Sequence, residues 1–431
     1  MSDTIFALAT PPGRGGVAVI RLSGPTALLV LPRLGVASWI ARVARRARFQ
    51  HQGRLLDDGL ALVFPAPASF TGEDVVELHI HGGRAVCEAV ATALQAEGLR
   101  LAEPGEFSRR AFENGKMDLL AAEGLADLVA AETEAQRVQA LDQAGGSLSA
   151  LYEGWRGRLI QAMAHLEATI DFADEDIPPD LLVGVDRTIA DLIDDMNGHL
   201  EDSHRGERLR DGIRVAILGA PNSGKSSLLN RLARRDAAIV SARAGTTRDV
   251  VEVHLDLGGY PVILADTAGI RDGVDEIEEE GIRRSHAAAS AADLILEVVD
   301  CLDARRVSVQ APRERVMVLY NKCDLGSGMN SGDGLLISAH TGEGLEVLTG
   351  DMIERLRNLY ATRQAPALTR PRHRTLVGES VAALRLAMEA EDIVLKAEDL
   401  RLAARSLGRI TGAVDVEDML DVIFRDFCIG K

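Results

Sequence analysis

Residues Gly219-Ala-Pro-Asn-Ser-Gly-Lys-Ser226 lie between a short apolar run, Ile213 to Leu218, and the helix-forming stretch Ser227-Leu-Leu-Asn-Arg-Leu232. The apolar run is broken only by Arg214 and suits a strand buried on both faces. A glycine-rich loop joining such a strand to a helix commits the surrounding chain to a parallel α/β sheet with an anion site at the strand end. Gly219 and Gly224 let the backbone close around a phosphate, so that N–H groups and a helix N-terminus point at the anion. Lys225 then neutralises the β- and γ-phosphates, and the Ser226 hydroxyl is placed to ligate Mg²⁺. Asn222, Ser223 and Ser227 complete the loop.

Later segments narrow the nucleotide. Gly245-Thr-Thr-Arg-Asp249 supplies Thr246 and Thr247, the latter as the second Mg²⁺ ligand from the protein. Asp266-Thr-Ala-Gly269 closes the apolar run Val262-Ile-Leu-Ala265, which sets Asp266 beside the metal's water shell and the Gly269 N–H toward the γ-phosphate. Asn321-Lys322-Cys323-Asp324 follows the strand-like Val316 to Tyr320. The Asp324 carboxylate accepts from guanine N1–H and the 2-amino group, donors that adenine lacks, so the motif selects GTP. Ser338-Ala339-His340 provides the loop behind the base.

Hydrolysis needs an oriented water. Many switch GTPases carry a glutamine directly after the Asp-x-x-Gly segment for this purpose. Here that position is Ile270, which has no polar atom to offer. The loop beyond it holds Asp272, Asp275, Glu276, Glu278, Glu279 and Glu280. Most of these read as a solvated charge run, from which one carboxylate can swing in to position the water. Asn222 has two readings: a turn former, or a ligand to a monovalent cation beside the β/γ-phosphates.

With 431 residues the chain holds about two to four domains. Its net charge of −17 excludes nucleic-acid binding by a bulk positive field, so any RNA contact uses a local basic patch or a partner. The best local patch, Arg42, Arg45, Arg46 and Arg48, reads first as a solvated face. Aromatics at 3% argue against base stacking as the main binding mode. Cys87, Cys301, Cys323 and Cys428 show neither metal spacing nor a disulfide framework, which fits a reducing cytoplasm. No signal pattern or membrane-length apolar stretch is present, so a cytoplasmic location without membrane contact is expected.

The fold expected is multidomain, α/β combined with α+β. Val17 to Ile20, Leu60 to Phe64 and Val75 to Ile80 read as strands, with a helix from about Ala85 to Ala96, in a small α+β domain over 1–117. Helical spacing then takes over in 118–211, where Leu148, Leu151, Trp155, Leu159, Met163, Leu166 and Ile170 share one face. A Ras-like P-loop GTPase domain occupies 212–361, and helical spacing resumes in 362–431 with Val377, Val381, Leu384 and Met388. The GTPase domain thus reads as an insertion in a helical domain.

The two ends carry a family resemblance. The chain finishes Phe427-Cys428-Ile429-Gly430-Lys431 and opens with Ala9-Thr-Pro-Pro-Gly-Arg-Gly-Gly16, continuing to Arg21-Leu-Ser-Gly24. Phe70-Thr-Gly-Glu-Asp74, His81-Gly-Gly83, Pro104-Gly-Glu-Phe-Ser108 and Asn114-Gly-Lys116 follow. Together with the inserted GTPase these resemble the MnmE (TrmE) family of tRNA-modifying GTPases over the whole chain.

The resemblance implies an N-terminal domain like that of folate-binding one-carbon enzymes, which dimerises the protein. It implies a 5-formyl-tetrahydrofolate-type cofactor held by Arg21, Glu77, Lys116 and Lys431. Arg and Lys suit the carboxylate tail of folate, and Glu suits the donor edge of its pterin. It implies a flavoprotein partner, MnmG, in a heterotetramer, with FAD and NADH on that partner. The joint reaction adds a carboxymethylaminomethyl or aminomethyl group to C5 of the wobble uridine, U34, of certain tRNAs. For the GTPase it implies a K⁺ ion held by Asn222, Ser241, Arg243 and Thr246, a catalytic Glu278, and paired GTPase domains during turnover. The role of Cys428, a nucleophile or a lining residue of the folate cavity, stays open. The rival readings are a regulatory GTPase of the ribosome-assembly type and a folate-dependent transferase with a vestigial GTPase.

Overall fold

The computed structural model describes residues 3–171, 180–202, 204–235, 251–266, 289–303, 305–307, 311–326, 334–360, 366–414, 417–425, 427–428 and 430. They form two compact units. One comprises 1–126, 143–178 and 390–431; the other comprises 127–142 and 179–389.

The first unit is built on six strands: β1 Ile5–Leu8, β2 Gly15–Ser23, β3 Arg45–His51, β4 Arg54–Phe64, β5 Val75–Gly82 and β6 Arg100–Leu101. Their order is β3-β4-β5-β2-β1-β6, antiparallel except for the β1–β6 pair. Successive side chains of a strand point to opposite faces, and here the two faces differ in kind. Ala18, Ile20 and Leu22 of β2 join Val76, Leu78 and Ile80 of β5 in one apolar core, closed by Val90, Ala93 and Leu94 of helix Arg84–Ala96. The alternate residues Arg21 and Glu77 are direct cross-strand partners on the other face. The arginine run forms the edge strand β3 and its approach, where exposed charges discourage pairing with another chain. The same unit contains helices Ser147–Asp171 and Ile393–Thr411 packed together. The second of these is started by the Asp392 side chain, which accepts from the Val394 N–H, and stopped by left-handed Gly412.

The second unit holds the other sheet: β7 Ile213–Gly219, β8 Val251–Leu257, β9 Tyr260–Asp266, β10 Leu294–Asp300, β11 Val316–Asn321 and β12 Leu335–Leu336. The order is β12-β11-β10-β7-β9-β8, parallel apart from β8. The central strands are buried on both sides. Val215, Ile217, Leu294, Leu296 and Val298 enter one core, while Ala216, Leu218 and Ile295 enter another. The chain crosses from one half of the sheet to the other beside β7, so the crevice at the carboxyl ends of β7 and β10 is where a ligand is expected.

Helices Asp180–Leu200 and Pro371–Glu389 pack together within this unit. Val377, Val381 and Leu384 are buried as the spacing predicts, but Met388 is exposed at the end of the stripe. The free carbonyl of Leu200 is capped by Arg374 Nη1 at 2.6 Å, and Arg374 Nη2 meets Asp202 at 2.5 Å. No helix among the described residues is long and apolar enough to cross a membrane.

Burial pushes buried His199 down to about 4; Asp202 opposes this, while Arg374 and His373 add to it. The folded state therefore holds this proton less tightly than the unfolded chain does. Its contribution is full above the ordinary histidine value and is lost as pH falls toward 4. The expected result is that acidification through this window weakens the second unit by about 3 kcal/mol. His199→Gln flattens that part of the profile in denaturant titrations followed against pH.

Candidate functional site: a nucleotide crevice and a charged sheet face

In the second unit, β7 delivers the glycine-rich loop to the crevice and helix Lys225–Arg235 leaves it. Close approach dictates both glycines. A Cβ on Gly219 would stand 2.2 Å from the Val298 carbonyl oxygen on β10, and one on Gly224 would stand 2.1 Å from Asn321 Nδ2. Gly224 also has φ +100°, in the region that favours glycine. Asn222 takes a left-handed conformation with φ 62° and leaves its side chain exposed at the loop tip. Lys225 arches over the loop, donating from Nζ to the Gly219 and Ala220 carbonyls at 3.0 and 2.9 Å. Ser226 and Ser227 are exposed in the first turn of the helix. Ser223 is buried, and its Oγ has no hydrogen-bond partner among the described residues.

Asn321-Lys322-Cys323-Asp324, the segment expected to read the base, comes at the end of β11, which runs parallel to β10. Asn321 is almost fully buried and belongs to both loops at once. Its Nδ2 donates to the Ser223 carbonyl at 2.8 Å, and its Oδ1 accepts from the Ala339 N–H at 2.9 Å. Lys322 adopts φ 70° and reaches back to Asp300 at the end of β10, with Nζ 2.5 Å from Oδ2. Burial works to raise Asp300, but the bonds from Lys322 and the Leu302 N–H hold its carboxyl below the ordinary value. Burial pushes the Cys323 thiol up, which keeps it protonated and unreactive. Asp324 stands exposed in the short turn Cys323–Leu325, free to meet a base. Buried Ser338 organises the loop behind it: Oγ accepts from the Thr341 N–H at 3.0 Å, and the carbonyl accepts from Gly342.

The backbone of Asp266 ends β9 directly opposite Ile217 of β7. Thr246, Thr247, Gly269, Ser241, Arg243 and Glu278 lie outside the described residues, as does Lys431. Of the metal set, Ser226 and Asn222 are therefore the members placed here, one residue after and three residues before Lys225 in the chain. Oxygen donors of this kind suit Mg²⁺ and K⁺.

In the first unit the charged sheet face centres on Arg21. Its Nε and Nη2 both donate to Glu77 Oε1, at 3.0 and 2.9 Å. The guanidinium lies 5.5 Å from the centroid of Phe70 and 5.9 Å from that of Phe107. Glu77 Oε2 is left 3.5 Å from His79 Nε2, beyond the reach of a good hydrogen bond. Lys116 packs its stem against the turn at Gly72, where a Cβ would stand 3.2 Å from Lys116 Cε. At the other end of the chain, Gly430 seats on β1, where a Cβ would stand 2.5 Å from the Leu8 oxygen. Leu8 neighbours Ala7, the β1 partner of Arg21, so Gly430 reaches the same sheet. Cys428 is exposed, and its carbonyl faces the Gly105 N–H at 3.4 Å.

Sequence reading did not anticipate the ion cluster beside this face. Arg110, Glu106, Glu73, Asp3 and Arg100 form one network. Burial works to raise Glu106, yet the bonds from Arg100, the Glu103 N–H and Arg110 hold it below its ordinary value. The local signal was there: Glu106 and Arg110 are one turn apart on a short helix whose intervening Phe107 is buried.

Two family descriptions match the chain: "GTP-binding protein TrmE N-terminus" over residues 4–116 and "MnmE helical domain" over residues 119–428. Among curated proteins, the chain is similar to tRNA modification GTPase MnmE of Paramagnetospirillum magneticum, 57% identical, with 100% of both chains covered. It is similar to the proteins of that name from Rhodospirillum rubrum, at 56% identity over 100% of this chain and 99% of the relative, and Parvibaculum lavamentivorans, at 55% identity over 100% of both.

The two close approaches make the loop sensitive to one methyl group. Gly224→Ala is expected to weaken GTP binding at least ~100-fold by displacing Asn321 and straining the backbone. Titration with a fluorescent GTP analogue measures it, and affinity within ~3-fold of wild type would refute the packing argument.

Proposed function

Because this chain belongs to the MnmE family of tRNA modification GTPases, we propose that it is a GTP-hydrolysing enzyme acting in modification of the tRNA wobble uridine. The observation that carries the GTPase half of this reading is the Asn321 side chain, which bonds the phosphate loop and the base loop at once beside an exposed Asp324. A site so joined reads base and phosphates as one ligand.

In this reading Lys225 and the loop N–H groups bind the β/γ-phosphates, Ser226 and Thr247 hold Mg²⁺, and Asp266 orders its water shell. Asp324 selects guanine with Lys322, Ser338 and Ala339 behind it. Asn222, with Ser241, Arg243 and Thr246, holds K⁺. The two cations supply positive charge where negative charge grows on the transferring phosphoryl group. Glu278 orients the attacking water, a task that Ile270 cannot perform.

The other half is one-carbon chemistry. Arg21, Glu77, Lys116 and Lys431 bind a reduced folate such as 5-formyl-tetrahydrofolate. With the flavoprotein MnmG, which brings FAD and NADH, the enzyme adds a carboxymethylaminomethyl or aminomethyl group to C5 of U34. The protein works as a cytoplasmic homodimer joined through residues 1–117, with the GTPase domain 212–361 inserted between helical segments 118–211 and 362–431.

The test is steady-state turnover of GTP by the purified protein in potassium and in sodium at equal ionic strength. Potassium is expected to accelerate hydrolysis at least ~10-fold, and Glu278→Ala to keep GTP affinity while losing at least ~100-fold in kcat. Equal rates in the two salts would return Asn222 to a turn former. An undiminished kcat in Glu278→Ala would make the acidic loop a solvated run.

A further inference from the structure

The guanidinium of Arg21 lies over two rings that come from different parts of the first unit. Phe70 lies in the loop between β4 and β5, which also contains Thr71 and Glu73. Phe107 lies in helix Glu106–Glu113, between Glu106 and Arg110. Phe107 is buried with Ile5 and Ala7 of β1 and with Ala102, and Phe70 packs against that cluster, while a single buried arginine bonds the loop and the helix that carry the two rings.

Arg110 is 8% exposed. Its Nη1 lies 3.1 Å from Glu73 Oε2 and 3.3 Å from Oε1, and donates to the Asp3 carbonyl at 2.8 Å. Its Nη2 donates to Glu106 Oε1 and to Asp3 Oδ1, both at 2.8 Å. Glu73 is anchored in turn to β2, because Ser23 Oγ donates to its Oε2 at 2.7 Å and contacts Thr71 Oγ1 at 2.6 Å. Ser23 is two residues from Arg21 on the same strand and the same face. Arg100 holds the other side of Glu106, at 2.6 and 2.9 Å. Loop, helix and strand are thereby cross-linked around the Arg21 side chain. A fork of donors reaching three carboxylates and a carbonyl is a task for guanidinium, since an ammonium is a point charge with three donors.

We propose that Arg110 is a positioning residue for the Arg21–Glu77 site: by bonding Glu73 and Glu106 together it fixes Phe70 and Phe107 against the Arg21 guanidinium, and so pre-organises Arg21 and Glu77 for a carboxylate-bearing pteridine. Arg110 itself touches neither the guanidinium nor the ligand. A long arginine side chain left free must be ordered when ligand binds, and that ordering subtracts from affinity. Held by a carboxylate and in contact with two rings, it is ordered beforehand. The inference rests on the folate reading above.

The experiment is calorimetric titration of the full-length protein with 5-formyl-tetrahydrofolate, well below the unfolding midpoint. Arg110→Met is expected to weaken folate binding at least ~10-fold while GTP affinity stays at the wild-type value, with Arg110→Lys intermediate. Glu73→Gln, which removes the charge and keeps the side-chain size, shifts folate affinity in the same direction and serves if Arg110→Met does not fold. Leu94→Ala is the control for stability alone, since Leu94 is fully buried against the opposite face of the sheet. It is expected to lower the melting temperature and leave folate affinity unchanged. If Arg110→Met and Glu73→Gln also leave folate affinity unchanged, the network is structural and the proposal is overturned. If the wild-type protein binds no folate, the folate reading itself fails, and this inference with it.

Discussion

The carboxamide of Asn321 joins two loops that the sequence separates by 98 residues. One is the glycine-rich loop after β7, proposed to cradle phosphates, and the other is the turn after β11, proposed to read the base. The bond is buried, so each partner group would otherwise lose its hydrogen bond without gaining water. Much of the crevice follows from it. Gly224 has no room for a Cβ because Asn321 occupies that space, and Lys322 turns left-handed immediately after the bond. Asp324 is then presented outward while Asn321 stays inside. The parallel order β11-β10-β7 makes this possible, since it brings the carboxyl ends of β7 and β11 to the two sides of β10.

The first unit applies the same principle with charges. Its sheet separates an apolar face, packed by Leu94 and its neighbours, from a face where Arg21 and Glu77 are paired. Buried carboxylates and guanidinium groups are tolerated only when each finds partners, and the Arg110 network provides them across loop, helix and strand. The two units thus present different side-chain chemistries, each fixed by buried polar ties rather than by apolar packing alone.

The elements legible in the sequence were those with local signals. The strand before the glycine loop, the strand ending at Asp266 and the strand ending at Asn321 all appear where apolar runs placed them. Strand β10 was harder to read because Glu297 interrupts its apolar run. That carboxylate is buried in a central strand and takes two bonds from Arg306, a partner that composition does not announce. Strand β3 was hidden for the opposite reason: its arginines read as a solvated patch, and on an edge strand they are one. Contacts distant in the chain were not legible at all. Arg110 meets Asp3 across 107 residues and Glu73 across 37, and no periodicity records such pairs. Only the family resemblance nominated Arg21 and Glu77, and only the register of β2 against β5 brings them face to face.

The account depends most on the claim that one buried side chain unites phosphate and base recognition. The direct measurement is the affinity of Asn321→Ala for GTP and for inorganic triphosphate, set beside the wild type. Asn321→Ala is expected to lose at least ~100-fold for GTP and to show a clear loss for triphosphate too, because the glycine-rich loop loses its anchor together with the turn after β11. Unchanged triphosphate affinity in the variant would contradict it, since the two loops would then be independent and Asn321 a base-side residue only.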